Sequence, residues 1–330
     1  MSLRRPFAAA ALAAVNLLLA SVALASPWAL QPGNFYSELS GSFYSTQTFY
    51  RNHDEAREQL YGRLEQRALR SHNEFGWKKW ATMWIDVPFV SRTFVPDVGT
   101  ASTSTGLGDL DFGLRIPILT GNLPVALELG WVAPLGTNRA LFPGTSGSGG
   151  LHGYSIRERS SAVLRDSSLF FSQGLQSLSA SLELGGALGG RSYWTLGGGY
   201  RTTFLSAGKR KVNDRYADFA VGGATLGLWM SDHLLVSGGA SGVWQVSQGG
   251  AYDRHGPIPD PNGPDLQTVS MLVGPRFTYR IDDKMDVFAG SWHTPAGRNV
   301  LHQDQFYAGI AWKHTGLDRL AGALGGTKAR

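Results

Sequence analysis

Cysteine is absent from all 330 residues, which excludes a disulfide scaffold, a thiolate metal site, a thiol nucleophile and a lipoprotein anchor. Beyond residue 25 no apolar run approaches the ~20 residues that a membrane-crossing helix needs, and helix-period patterning is nearly missing. There is no G-x-S-x-G nucleophile element, and no two of the eight histidines have metal-ligand spacing along one strand. No catalytic residue, cofactor or metal is therefore expected. The formal net charge of +5 comes from scattered basic residues rather than a patch, which argues against nucleic acid as a partner.

The chain is instead rich in glycine (43 residues) and aromatics (11%), set in segments that alternate apolar and polar residues. Its first 25 residues read as a signal peptide. Arg4 and Arg5 precede an apolar run from Phe7 to Leu24, and Ala23-Leu24-Ala25 supplies a cleavage site. Removing 25 of 330 residues leaves 305, and losing Arg4 and Arg5 takes the net charge from +5 to +3. An exported β-rich chain of this kind is either a soluble secreted protein or a membrane barrel.

The stretch Gly106–Pro134 discriminates between them. Leu110, Phe112, Leu114, Ile116 and Ile118 alternate with Asp109, Asp111, Gly113 and Arg115, the period-two pattern of a strand with two unlike faces. A two-residue turn at Gly121-Asn122 sets Ile118 opposite Val125, Ile116 opposite Leu127, Leu114 opposite Leu129 and Phe112 opposite Trp131, with Arg115 opposite Glu128. A turn at Gly189–Arg191 sets Leu184 opposite Leu196 and Ala180 opposite Tyr200. A turn at Asp283-Lys284 sets Tyr279 opposite Phe288 and Pro275 opposite Trp292. Each register gathers apolar residues on one face, and a one-residue slip inverts the faces. Trp194 and Phe204, ten residues apart on one face, are separated by roughly 25 Å of height at a tilt of about 40°, the spacing of two aromatic girdles around a bilayer.

Twelve strands are predicted, at about 35–48, 60–72, 78–92, 106–119, 124–134, 168–188, 192–205, 215–230, 234–247, 267–281, 286–297 and 305–314. Short turns and long polar loops alternate between them, as in an outer-membrane barrel whose short turns face the periplasm. The expected fold is all-β, an antiparallel up-and-down transmembrane barrel over 35–314. It follows the signal peptide (1–25) and a periplasmic lead-in (26–34), and a tail (315–330) comes after it. The lead-in leaves no room for the plug domain of an energy-coupled receptor. The second strand is expected to turn Leu60, Leu64 and Ala68 toward lipid, and the sixth to carry a bulge or to enter the bilayer near Leu178.

The run Thr105-Gly106-Leu107-Gly108-Asp109-Leu110-Asp111-Phe112-Gly113-Leu114-Arg115, followed by Val132-Ala133-Pro134-Leu135-Gly136, resembles the outer-membrane family named for the meta-pathway of phenol degradation. Members show G-x-G-D-x-x-x-G in one strand and P-x-G at the end of the next. The resemblance implies a barrel with a transport role, for aromatic or other hydrophobic small molecules. Gln305–His314 is similar to the aromatic-rich final strand that serves barrels as an insertion signal.

Lipid contact for the apolar faces leaves the intervening residues to line the lumen: Glu38, Arg63, Glu65, Arg67, Asp86, Asp109, Asp111, Arg115, Glu128, Glu183, Arg201, Arg276 and Arg280. Either they form a polar pore that sets solute preference or they pair with one another and fill the lumen. Arg115 with Glu128 is the pair expected to govern ion selectivity. The function expected is a passive channel or substrate-specific diffusion porin for small solutes; the alternative is a non-conducting structural or assembly barrel. Expected partners are outer-membrane lipid and lipopolysaccharide; Lys209-Arg210-Lys211 could meet lipopolysaccharide phosphates, but a basic run of three is more often merely solvated, and that reading is preferred. Asp253, Asp260 and Asp265 lie in a proline-rich loop that reads as turns rather than a calcium site.

Overall fold

The computed structural model describes residues 29–50, 57–97, 101–133, 135, 175–205, 215–248, 269–298 and 300–314. The signal peptide, most of the loop 135–167, Lys209–Lys211, the aspartates of the 249–268 loop and the tail 315–330 lie outside them.

Fifteen strand segments form one antiparallel sheet: β1 (Phe35–Tyr50), β2 (Arg57–Lys78), β3 (Ala81–Pro96), β4 (Ser102–Leu107), β5 (Leu110–Leu119), β6 (Val125–Ala133), β7 (Leu175–Ala187), β8 (Ser192–Leu205), β9 (Arg215–Trp229), β10 (Leu234–Gln248), β11 (Val269–Arg280), β12 (Met285–His293), β13 (Gly297–Arg298), β14 (Val300–Leu301) and β15 (Asp304–His314). Three are short fragments. β4 continues the line of β5 along β3, β13 pairs with β11, and β14 pairs with β1. Fifteen less three leaves twelve staves. They close on themselves, because β1 pairs with β15 and β10 with β11. Closure removes every edge, so each backbone amide within the bilayer finds a partner.

Large apolar side chains point outward and stay exposed around the wall. They include Leu39 and Phe43 on β1, Met83, Ile85 and Phe89 on β3, Leu129 and Trp131 on β6, Leu178 and Leu182 on β7, Leu226 and Leu228 on β9, Phe277 on β11, and Phe306 and Ile310 on β15. A belt of this extent against water would be untenable. It is the surface a membrane-spanning barrel has available for lipid, and Trp77 and Trp80, ring centroids 5.8 Å apart, lie at its edge at the β2–β3 turn.

The registers follow the expected pairing along most of their length. Arg115 lies opposite Glu128, Leu114 opposite Leu129 and Phe112 opposite Trp131; Leu184 faces Leu196 and Ala180 faces Tyr200. Two turns are wider than expected. Between β5 and β6 the register shifts after Pro117, so that Leu119 rather than Ile118 pairs with Val125, and Gly121 takes φ +111°. Between β11 and β12, Asp282 Oδ1 accepts hydrogen bonds from the Lys284 and Met285 amides at 2.7 and 2.8 Å, building a longer loop. Tyr279 then pairs with Val287, and Phe288 pairs with Thr278. That one-residue shift turns Phe288 into the lumen, where it is 4% exposed, and carries Trp292 inward with it.

The second stave also departs from expectation. Leu64 and Ala68 point inward, and Leu64 is completely buried at the apolar outer end of the lumen with Tyr44, Val90 and Phe94. Arg63, Glu65 and Arg67 therefore face out, and Arg63 pairs with Glu65 at 2.9 Å on the outer surface. β2 is 22 residues long, about twice what a tilted strand needs to cross the bilayer, so this segment stands above the hydrocarbon and its outer face has no need to be apolar. The sixth stave is described from Leu175 onward as β7, and its pairings with β6 and β8 run without a register shift over the described residues, so the expected bulge is absent from that part.

Candidate functional site: the charged lumen

The glycine of the conspicuous motif makes room for the lumen wall. A Cβ on Gly113 would collide with the Leu129 carbonyl oxygen and lie 2.8 Å from the indole of Trp84, which rests across the inner surface of β5. Around this indole the inward positions of β2, β3, β5, β6 and β7 carry charge. Arg70 grips Asp86 with two hydrogen bonds, at 2.8 and 2.7 Å. His72 lies 3.2 Å from Asp86 and 3.1 Å from Glu74. Arg115 reaches Glu74 at 3.0 Å and Glu128 at 3.2 Å. Asp111 sits directly opposite Asp86 in the β3–β5 pairing. Glu183 lies beyond Glu128 on β7 and is 2% exposed. The result is a charged ladder around five staves, in the half of the barrel nearer the short turns, in which acidic groups outnumber the cations that pair them.

A second group completes the circuit. Arg276 on β11 spans β12 and β15 to reach Glu38 on β1 at 3.0 Å, with its guanidinium 3.8 Å from the centre of the Phe288 ring. The Glu38 carboxylate also accepts the Tyr36 hydroxyl at 2.9 Å. Arg280 stacks on Trp229 at 4.3 Å and lies 3.9 Å from Asp286, which Lys313 also holds. Tyr307 packs against Phe288 and Trp292, so aromatic rings and paired charges share this wall. Along β8, β9 and β10 the corresponding inward positions are mostly small, with Thr195, Gly197, Gly223, Thr225, Ser237 and Gly239.

Of the residues expected in the lumen, Glu38, Asp86, Asp111, Arg115, Glu128, Glu183, Arg201, Arg276 and Arg280 occupy inward positions. Asp109 lies in the break between β4 and β5, and Arg63, Glu65 and Arg67 are outside. Arg115 differs from its expected role, because at 0% exposure it is enclosed by its two carboxylates instead of bordering open space. Arg70 was not among the expected residues, yet it points inward and keeps 44% of its side chain accessible. Its alternation with Leu64, Ala68 and His72 is the signal that assigns it inward, once the stave's facing is set the right way round. The lead-in reaches the same region, since the Leu30 amide donates to Thr82 Oγ1 at 2.9 Å, on an inward residue of β3.

No protein-family model matches the chain, and no curated protein matches it. Among solved structures it is similar in fold to the COG4313 outer membrane channel from Pseudomonas putida F1, with a TM-score of 0.63 at 13% identity over 89% of this chain and 100% of that one. The NanC porin follows at a TM-score of 0.45 and 8% identity, covering 84% of this chain and 100% of that one. The CymD monoaromatic hydrocarbon channel follows at 0.39 and 10%, covering 87% of this chain and 89% of that one. The fold is that of a twelve-stranded outer-membrane barrel. Within that class, the Pseudomonas channel shares its overall strand arrangement.

Proposed function

We propose that this barrel is a passive outer-membrane channel for small solutes. The observation that carries the reading is Arg70, an inward, ion-paired side chain that remains 44% accessible, so the lumen beside it admits water rather than being filled. Twelve staves fall between eight-stranded barrels, which their own side chains fill, and sixteen-stranded porins, which are open. A narrow passage results, bounded by the charged ladder on one side and by small residues of β8–β10 on the other. Inward rings of Tyr36, Phe288, Trp292 and Tyr307 favour aromatic or other partly apolar solutes, in keeping with the family resemblance of Gly106–Gly136 and the fold shared with an outer-membrane channel. Most of the charged groups described in the lumen, among them Arg70 with Asp86, Arg115 with Glu74 and Glu128, and Arg276 with Glu38, pair with one another, which supports a channel over an enzyme.

Liposome swelling with neutral, charged and aromatic solutes, together with single-channel recording, tests this. Arg70→Ala is expected to shift permeability toward cations by about twofold, since one unit charge ~8 Å from the permeation path contributes about 0.5 kcal/mol in water. Absence of both swelling and conductance steps in the wild type would leave a non-conducting structural barrel as the better reading.

A further inference from the structure

At the rim opposite the short turns, the β12–β15 connection brings His293, His302 and Asp304 together. One ligand-capable atom from each lies within 4.8 Å of the others. We propose that these three side chains form a binding site for a divalent first-row transition metal, zinc foremost.

The donor set is two imidazoles and one carboxylate. Calcium and magnesium prefer all-oxygen sites, whereas imidazole suits zinc, copper and nickel. Three protein ligands with a fourth position left to water is the pattern of an open zinc site. Here the outer positions leave that approach clear, because His293 keeps 43% and Asp304 54% of its side-chain surface.

The ring geometry fits as well. Two imidazoles bound to one tetrahedral zinc through ~2.0–2.1 Å bonds, each ring centre ~1.1 Å beyond its nitrogen, have centres roughly 5 Å apart. The His293 and His302 ring centroids are 5.2 Å apart, with planes at 82°. His293 Nδ1 already contacts Asp304 Oδ1, and the two residues are direct partners in the β12–β15 pairing. A metal entering between them would take the place of the proton they share.

The backbone holds this arrangement before any metal arrives. The Thr294 amide donates to the Gln303 carbonyl at 2.9 Å, and the Gln303 amide donates back to Thr294 Oγ1 at 3.2 Å, with Thr294 only 1% exposed. The His302 amide donates to the Thr48 carbonyl at 3.0 Å, tying the site to β1. Metal at this point would clip together both ends of the β12–β15 connection, beside the β1–β15 seam that closes the barrel. The proposal stands whether or not the lumen conducts. The ligands come from opposite sides of a hairpin, so spacing along a single strand does not show them.

Titration of the purified full-length barrel in detergent with zinc chloride, followed calorimetrically, is the test. One equivalent of zinc is expected to bind, with no comparable uptake of calcium. His302→Ala and Asp304→Asn are each expected to weaken binding at least about tenfold, because even the loss of an outer-shell partner costs a metal site about 10–100-fold. His314→Ala, at the other rim, should bind as the wild type does. Heat-dependent gel mobility reports whether each variant is folded. No stoichiometric zinc uptake, or undiminished uptake by folded His302→Ala, would overturn the proposal. Should the variants not fold, X-ray absorption on the zinc-loaded wild type decides it: two imidazoles in the first shell support the site, and none overturns it.

Discussion

Arg115→Ala is expected to lower the stability of the folded barrel by about 3–5 kcal/mol, the usual consequence of removing one partner from a buried ion pair. Arg115 is wholly enclosed and is the common partner of Glu74 and Glu128. Its loss leaves the buried Glu128 carboxylate without its cation and Glu74 with His72 alone, with Glu183 close by on the next stave. Urea titration of the barrel in lipid vesicles measures the effect. Combining Arg115→Met with Glu74→Gln and Glu128→Gln should recover most of it, since an apolar replacement of a whole buried ionic group is often neutral. A loss below about 1 kcal/mol, accompanied by a change in ion selectivity, would return Arg115 to the open lumen.

Leu182→Arg is the second large effect, at about 2–4 kcal/mol of destabilisation, because Leu182 lies outward near the middle of β7, where a charge must sit in hydrocarbon. Arg63→Leu, outward on the part of β2 beyond the pairing with Phe43, should be close to neutral. The contrast between them locates the membrane boundary on the wall. If Leu182→Arg unfolds at the same urea concentration as the wild type, lipid is not what that face meets.

Where hydrocarbon imposes a single answer, the sequence could be read residue by residue. Phe112, Leu114 and Ile116 had to share a face with Leu127, Leu129 and Trp131, and they do. Where the solvent changes, the rule fails. The apolar residues Leu64 and Val90 belong to an interior cluster at the outer end, while Arg63 and Arg67 point outward, so judging inside from outside by polarity inverts this stretch. Turns are the other point of failure. The Asp282 side chain holds the β11–β12 loop one residue longer than the tightest reading, and a single residue was enough to move Phe288 from lipid to lumen. His72 went unrecognised for a related reason: its two carboxylate partners come from its own stave and the next, a relation visible only once the register is set.

The seam between β1 and β15 has a consequence for biogenesis. Its ten residue pairs run from Phe35 with His314 to Tyr44 with Gln305, so the outermost pair joins positions 314 − 35 = 279 apart in the chain. No nascent fragment lacking the last stave can complete the cylinder. Such a fragment would offer two rows of bare amides to the fatty-acyl interior, a state the bilayer does not tolerate. Commitment to the membrane is therefore deferred until the whole polypeptide has been delivered, and a chain truncated before residue 304 should be cleared by proteolysis rather than accumulate as a shorter barrel.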